Sequence, residues 1–458
     1  MSPSSCTCQI LILGAGPAGC AAALGLAHWG YDVVVASQWR HFDAIEGVSK
    51  RTLDGLNQAG LHQAAKTAMA PTGRTVIWNG QETTLNQEHL VERRRFDEAL
   101  RRDLSDASVR LVAGRIDRWR IHEAGHEVEI ETQTGSEVWR ADFVIEARGR
   151  LSPAHAQGQR GPETLSLLHS WRTAPDGRLA AGVESLPNGW AWMAHLPDGR
   201  CYWQWTMSPR HDPLPPREQI AAATLALRQS PLSQRILGRL AESDAIKVHA
   251  RNNTATLCRD VGDAHWLRVG DAAMAADSLS GNGIFQVLSS ALQTPAIVHT
   301  LLQRPADASM ALAFHRQRAE HLYLHFARVG RDFYAAERRW TTAPFWQERA
   351  AWPDDQPLHQ PSGPIRTAIR PVVDGQYIRR AEVVITDDQP LGMWRVADVE
   401  LAGLIHRLQE HPGDLAQSGR WLREQLQHIA PSDRAKVLGW LQTYGVIPAT
   451  APASGVPA

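Results

Sequence analysis

The apolar positions of this chain change period several times, and each change marks an element. Gln9–Leu13 is a short apolar run of β character, and Asp32–Ala36 is a second. Between them Ala21–Trp29 is rich in Ala and Leu and reads as a helix. Strand, helix and strand in this order predict a βαβ unit. Further along, Trp190–Leu196 and Cys201–Met207 flank Pro197-Asp198-Gly199-Arg200, and Asp-Gly between two β-like runs predicts a hairpin. Alternation sets Trp190 and Trp192 on one face of their strand, and Trp203 and Trp205 on one face of theirs. Either face could wall a pocket, although plain sheet core is the simpler reading. After a proline-rich stretch, Pro353 to Pro371, helical spacing returns. Leu401, Leu404, Ile405 and Leu408 predict one helix, with Asp398 as its cap. Leu422, Leu426 and Ile429 predict a second. Val437, Leu441 and Tyr444 predict a third, capped by Ser432. With a β segment before them, these helices would make a winged-helix-like module.

The turn inside the βαβ unit carries chemistry. Gly14-Ala15-Gly16-Pro17-Ala18-Gly19 matches G-x-G-x-x-G between a strand and a helix, the context in which that pattern predicts dinucleotide binding. Gly14 permits the tight turn, Gly16 lets the backbone approach a pyrophosphate, and Gly19 lets helix and strand pack closely; Ala15 and Ala18 complete the cradle. The phosphate then sits at the positive end of the helix. An acidic residue that would bind a ribose is absent from the end of the second strand. Ser37 stands there, and its hydroxyl is the candidate ribose contact.

Composition removes several classes. The 458 residues hold 48 basic and 48 acidic side chains, so charge gives no reason to expect nucleic acid or an anionic membrane as partner. The residues from Gly375 onward carry 8 basic against 9 acidic side chains, which argues against DNA binding by the tail module. No apolar run approaches the roughly 18–20 residues of a membrane span, and no secretory signal is visible. Five cysteines do not suggest a disulfide framework, and Cys6-Thr7-Cys8 lacks a second pair at metal spacing, so no metal is expected. A cytoplasmic enzyme is the expectation. There are 17 tryptophans against 8 phenylalanines, and only four lysines, Lys50, Lys66, Lys247 and Lys436. The last fact limits any chemistry that needs a lysine.

Three further segments resemble a known family. Val91-Glu-Arg-Arg-Arg-Phe-Asp97 resembles the R-x-x-x-D segment of flavoprotein monooxygenases and halogenases. Ala141–Arg150 resembles the strand by which they return to the FAD domain. Leu267-Arg-Val-Gly-Asp-Ala-Ala273 with Asp277-Ser-Leu-Ser-Gly-Asn-Gly-Ile-Phe285 resembles their G-D-A-A…D-P-x-x-G-x-G motif, with Ser278 in place of the proline. The chain is identified as a member of the halogenase-like branch of the FAD monooxygenases. It is most similar to the LodB/GoxB-type group, which matures peptide-derived quinone cofactors.

The resemblance implies FAD as cofactor. Arg93 would contact it, Asp271 would accept hydrogen bonds from ribityl or ribose hydroxyls, and Gly281 and Gly283 would let the backbone approach the isoalloxazine ring. The helix starting near Ile284 would aim its amides at the N1/O2 edge. The fold implied is α/β: a Rossmann-type FAD domain (1–70, 95–155 and 245–335), an interleaved β-rich substrate domain (71–94 and 156–244), a linker (336–374) and a small C-terminal helical domain (375–458).

The activity implied is oxygenation. Such an enzyme takes O2 and an electron donor, NAD(P)H or a flavin reductase, and delivers oxygen through a flavin C4a-hydroperoxide. The expected substrate is a tryptophan on a small protein partner, the γ subunit of quinohemoprotein amine dehydrogenase, whose product becomes cysteine tryptophylquinone. Halogenation of, or hydroxylation on, a small aromatic molecule is an alternative; a geranylgeranyl-reductase-type reductase and a non-catalytic flavin-bound chaperone are two more. The halogenase pattern has a lysine followed by glycine where this chain reads Pro71-Thr-Gly-Arg-Thr75. Arg74 cannot replace it, because a guanidinium stays charged and is a poor nucleophile. No catalytic base stands out. His195 is a candidate by location, though a lone histidine in a hairpin is more often structural.

Overall fold

The computed structural model describes residues 4–39, 43–122, 125–153, 158–210, 215–240, 245–281, 283–358, 365–410, 421–422 and 424–448. The expected α/β class is borne out. The first apolar run lies in the strand Ser4–Leu13, whose Ile10, Leu11, Ile12 and Leu13 are fully buried. A strand buried on both faces is apolar without alternation, which is why it was legible. It lies between the parallel strands Val33–Ser37 and Gly135–Glu146. Arg110–His122 extends this core beside Val33–Ser37, and Trp266–Arg268 extends it beside Gly135–Glu146. The second half of Arg110–His122 and the first half of Gly135–Glu146 each pair with Gly125–Thr132, which adds an antiparallel meander to the sheet. Helix Pro17–His28 packs against helices Arg93–Asp106 and Gly283–Ala291.

A second, eight-stranded sheet runs in the order Lys247–Asn252, Leu165–Arg172, Arg200–Met207, Gly189–His195, Ala180–Leu186, Thr72–Trp78, Gln81–Glu92, Ile45–Val48. The Asp198-Gly199 hairpin lies at its centre, with Trp192 opposite Gln204 and Gly199 at φ +81°. Its two edge strands come from stretches that the sequence assigned to the nucleotide domain. Strands this short, held by backbone pairing at an edge, carry too few residues for periodicity to assign them.

The tail departs from expectation in two respects. The stretch 336–374, read as a linker, contains helix Pro344–Ala350 and strand Arg366–Asp374. That strand pairs with Tyr377–Thr386, and Gln389–Met393 completes a three-stranded antiparallel sheet. Ile378 of this sheet enters the core of the nucleotide domain, and its N–H donates to Thr300 Oγ1 at 2.8 Å. Helices Leu401–Glu410 and Pro431–Thr443 then share a core of Leu404, Leu408, Leu422, Leu426, Val437 and Leu441. Neither expected cap acts. Asp398, at φ +63°, lies in the turn between Arg395–Val396 and Val399–Glu400. The last helix opens on Pro431 after Ala430, because proline's fixed φ suits the first helical turn and places the start before Ser432. Among the described residues no helix is long and apolar enough to cross a membrane, and no His/Cys/Asp/Glu group could hold a metal ion.

Candidate cofactor and substrate site

The N-terminal cradle has the geometry its glycines predict. Gly14, at φ +114°, donates its N–H to Ala36 O at 2.8 Å, so the first turn is tied to the end of the second strand. A Cβ on Gly14 would collide with the Ala147 carbonyl, and one on Gly19 would collide with the Gly14 carbonyl. A Cβ on Gly16 would meet nothing within 4 Å. Two glycines therefore serve packing, whereas the third borders open space, as a cradle for a ligand requires. Ala15 and Ala18 are buried beside them. Ser37 ends its strand at the same edge, with its hydroxyl 3.3 Å from Gln38 O.

The distal motif meets this cradle. A Cβ on Gly270 (φ +58°) would lie 2.7 Å from Ala18 Cβ, so the two motifs are in direct contact. Asp271 is partly exposed and has Arg150 Nε 3.7 Å from its Oδ2. The turn Ser278–Ser280 leads to Gly281, in the left-handed region at φ +62°, and helix Gly283–Ala291 follows with Ile284 in its first turn. A Cβ on Gly281 or Gly283 would again meet nothing within 4 Å. Asn282 lies outside the described residues. Ser278 Oγ and Gln286 Oε1 are buried without a hydrogen-bond partner. Unpaired buried polar atoms are costly, so their presence beside three open glycines fits a polar cofactor bound along this edge.

Arg93, the expected cofactor contact, is also engaged by two carboxylates of the chain. It is buried at the start of helix Arg93–Asp106, with Nη1 2.8 Å from Glu46 and Nη2 2.8 Å from Asp97. Burial alone would lower its pKa, but the two carboxylates raise it overall, so the charge is held firmly. The guanidinium thus ties the helix to strand Ile45–Val48 beside the cradle.

The eight-stranded sheet presents two different faces. Trp203 and Trp205 pack with Ala191 and Met193 under helices Pro216–Gln229 and Pro231–Leu237. On the opposite face Trp190 and Trp192 pack with Tyr334, Phe345, Trp346 and Leu279, the last from the distal turn. That face also carries Arg74 and the buried Glu88, 3.4 Å apart. Burial pushes the Glu88 carboxyl above its ordinary value, and Arg74 pulls it back. His195 ends its strand with Nδ1 3.1 Å from Arg178 O and is 2% exposed. Lys50 is exposed and paired with Asp54, and Lys66 is exposed at the end of a four-residue helix. Asp277, Tyr334 and Trp190, which sequence reasoning did not select as site residues, form a buried hydrogen-bonded chain between the sheet and the distal turn. No local pattern joins residues so far apart in sequence.

The model of the FAD binding domain matches residues 7–322. The chain belongs to this family. Over 96% of its length it is 46% identical to the solved structure of QhpG, described as a peptidyl tryptophan dihydroxylase essential for tryptophylquinone cofactor biogenesis; 99% of that chain is covered, with a TM-score of 0.81. It is 23% identical over 387 residues to the putative FAD-dependent oxidoreductase LodB of Marinomonas mediterranea, covering 75% of this chain and 96% of LodB. It is 24% identical over 375 residues to the tryptophan 2-halogenase of Chondromyces crocatus, covering 74% and 70%. The flavin-dependent halogenase CmlS shares the fold at a TM-score of 0.73 and 15% identity, with 97% of this chain and 96% of that one covered. The expected place in the halogenase-like branch of FAD monooxygenases is borne out, and with it FAD as cofactor. This family member is an FAD-dependent monooxygenase, an enzyme class that consumes O2 and a reductant.

Proposed function

We propose that this enzyme hydroxylates a tryptophan side chain on a small protein partner during maturation of a tryptophylquinone cofactor. The observation that carries this reading is the 46% identity to QhpG, which runs through the C-terminal module as well as the FAD domain. The partner expected is the γ subunit of quinohemoprotein amine dehydrogenase, and the product would become cysteine tryptophylquinone.

The site residues have roles to match. Gly14, Ala15, Gly16, Ala18 and Gly19 would receive the pyrophosphate at the start of helix Pro17–His28. Ser37 would bond a ribose. Asp271 would accept ribityl hydroxyls, while Gly281, Gly283 and Ile284 would present backbone to the flavin ring. Arg93, committed to Glu46 and Asp97, would offer its remaining N–H groups. FAD held there would supply the redox chemistry that activates O2. In the net reaction one oxygen atom would be inserted into a ring C–H bond as hydroxyl and the second would leave as water, balanced by two electrons from the donor and two protons. The chain's own task is to hold the electron-rich ring and keep water out, and the Trp190–Trp192 face suits both.

Halogenation is the second reading, favoured by the identity to the tryptophan 2-halogenase. The lysine supply argues against it, since Lys50 and Lys66 are exposed and Arg74 faces Glu88. Turnover with the γ-subunit substrate under heavy-isotope O2, with excess bromide present, decides between them by mass spectrometry. Labelled oxygen in the tryptophan is the expected result; a brominated product, or no label, overturns the proposal. For the cofactor site, Gly16→Val should abolish FAD binding by filling the open space over the cradle. Full FAD occupancy in that variant would reject the cradle assignment.

A further inference from the structure

The distal turn begins at Asp277, whose carboxylate is engaged from two sides. Its Oδ1 accepts the Leu279 N–H at 2.8 Å, which closes the turn Ser278–Ser280. Both of its oxygens lie 3.2 Å from the Tyr334 hydroxyl. Tyr334 lies in the last turn of the long helix Ala308–Ala335, and its oxygen accepts the Trp190 Nε1–H at 3.2 Å from the eight-stranded sheet. Asp277, Tyr334 and Trp190 are all buried.

The chemistry of the three groups gives the chain a direction. An indole N–H only donates, a phenol both accepts and donates, and a carboxylate only accepts. Donation therefore runs from sheet to helix to turn, and each buried group finds the partner type it lacks. Apolar side chains could fill this volume without the cost of burying three polar groups. What the polar set adds is a fixed geometry between elements.

Two cations face the carboxyl group, and both are occupied elsewhere. Arg349 donates to Phe345 O, Glu163 O and Thr164 Oγ1, and Arg150 donates to Thr254 O and Ala276 O. Burial pushes the Asp277 carboxyl above its ordinary value, while Leu279 N–H, Arg349, Tyr334 and Arg150 pull it back.

We propose that Asp277, Tyr334 and Trp190 are positioning residues: they fasten the turn carrying Gly281 and Gly283 to the substrate-facing sheet and so fix the flavin ring against the substrate. The inference rests on the placement of the flavin at Gly281 and Gly283. Asp277 and Tyr334 hold the turn directly, and Trp190 holds it through the Tyr334 oxygen.

Tyr334→Phe is the sharpest test. It removes the hydroxyl and keeps the ring that packs edge-on against Phe345 and Trp346, with centroids 5.8 and 5.9 Å away. The holoprotein is examined by visible circular dichroism of the bound flavin, by flavin midpoint potential and by titration of the apoprotein with FAD. The expected result is an altered flavin dichroism band, a shifted potential and an FAD dissociation constant raised about ten-fold, as for loss of a hydrogen bond to a charged group. Asp277→Asn should change the same band. If Asp277→Asn does not fold, Tyr334→Phe decides alone. Flavin dichroism, potential and affinity unchanged in Tyr334→Phe, with only thermal stability lowered, would overturn the proposal. Gly283→Val separates the two levels. If it abolishes FAD binding while Tyr334→Phe is silent, the positioning role alone fails; if it too leaves FAD in place, the placement of the flavin fails.

Discussion

The two faces of the eight-stranded sheet are built from the same residue type and serve different ends. On the helix-covered face Trp203 and Trp205 are buried, and the Nε1 of each has no hydrogen-bond partner. On the opposite face the Trp190 Nε1 is bonded to Tyr334, and the Nε1 of Trp346, which packs there, to the carbonyls of Leu186 and Pro187. The first face uses tryptophan as volume, tolerating a lost N–H bond in exchange for buried ring area. The second uses tryptophan as a donor that links elements. Sequence alternation could sort these residues onto faces, but only the covering elements distinguish the faces.

The largest expected effect lies on the helix-covered face. Trp203→Ala should cost roughly 3–5 kcal/mol of stability by opening a cavity beneath the two helices. Urea unfolding measures this. FAD stoichiometry and turnover per folded molecule should stay near the parent's, and a stable variant without activity would break the comparison.

Substitution to phenylalanine sharpens it. Trp203→Phe discards an N–H that has no partner, so the gain from that loss offsets part of the lost ring area. Trp190→Phe leaves the Tyr334 oxygen without its donor in a buried site, which adds about 1–3 kcal/mol to the same loss of area. Urea midpoints should therefore fall further for Trp190→Phe than for Trp203→Phe. Equal midpoints would mean that the Trp190 N–H bond to Tyr334 contributes nothing.

Acid titration separates the faces in another way. Glu88 lies on the Trp192 side, and its carboxyl is raised by burial. The folded state then holds the proton more tightly than the unfolded state. This contribution is fully present below the ordinary glutamate value and is lost as pH rises through the raised folded value. Stability curves for the parent and Glu88→Gln should diverge across that window and run parallel outside it. Parallel curves throughout would place Glu88 in water.

How far the sequence could lead depended on the range of the contacts. The βαβ unit was legible because Gly14, Gly16 and Gly19 act through backbone geometry within six residues of one another. The hairpin was legible because Asp198-Gly199 determines its own turn. Arg93 was found by motif, yet its tie to Glu46 was not, since the partners lie 47 residues apart. The bonds from Tyr334 to Asp277 and Trp190 span 57 and 144 residues, and no local pattern reports such a pairing. The capping assignments failed for a different reason. Asp398 and Ser432 have the right chemistry, but a β-turn and a proline decide where the helices begin.

The smallest effect belongs to His195, the one histidine whose location invited a catalytic reading. It stands in register with Cys201, on the helix-covered side of the sheet, because alternation from Ala191 and Met193 carries it there. Its Nδ1 meets the Arg178 carbonyl at 3.1 Å, with Asp176 at 3.7 Å, so the ring closes the strand end against the preceding loop. The Asp277–Tyr334–Trp190 chain lies on the opposite face of the sheet. His195→Asn can keep a donor toward the Arg178 carbonyl, so its cost should stay within about 1 kcal/mol, the net worth of one neutral hydrogen bond. The decisive measurement is the pH profile of kcat/KM. It should superimpose on the parent's, because the proposed substrate face is the opposite one, carrying Trp190 and Trp192. Loss of one limb of that profile in His195→Asn would reject that proposed face and reverse the comparison.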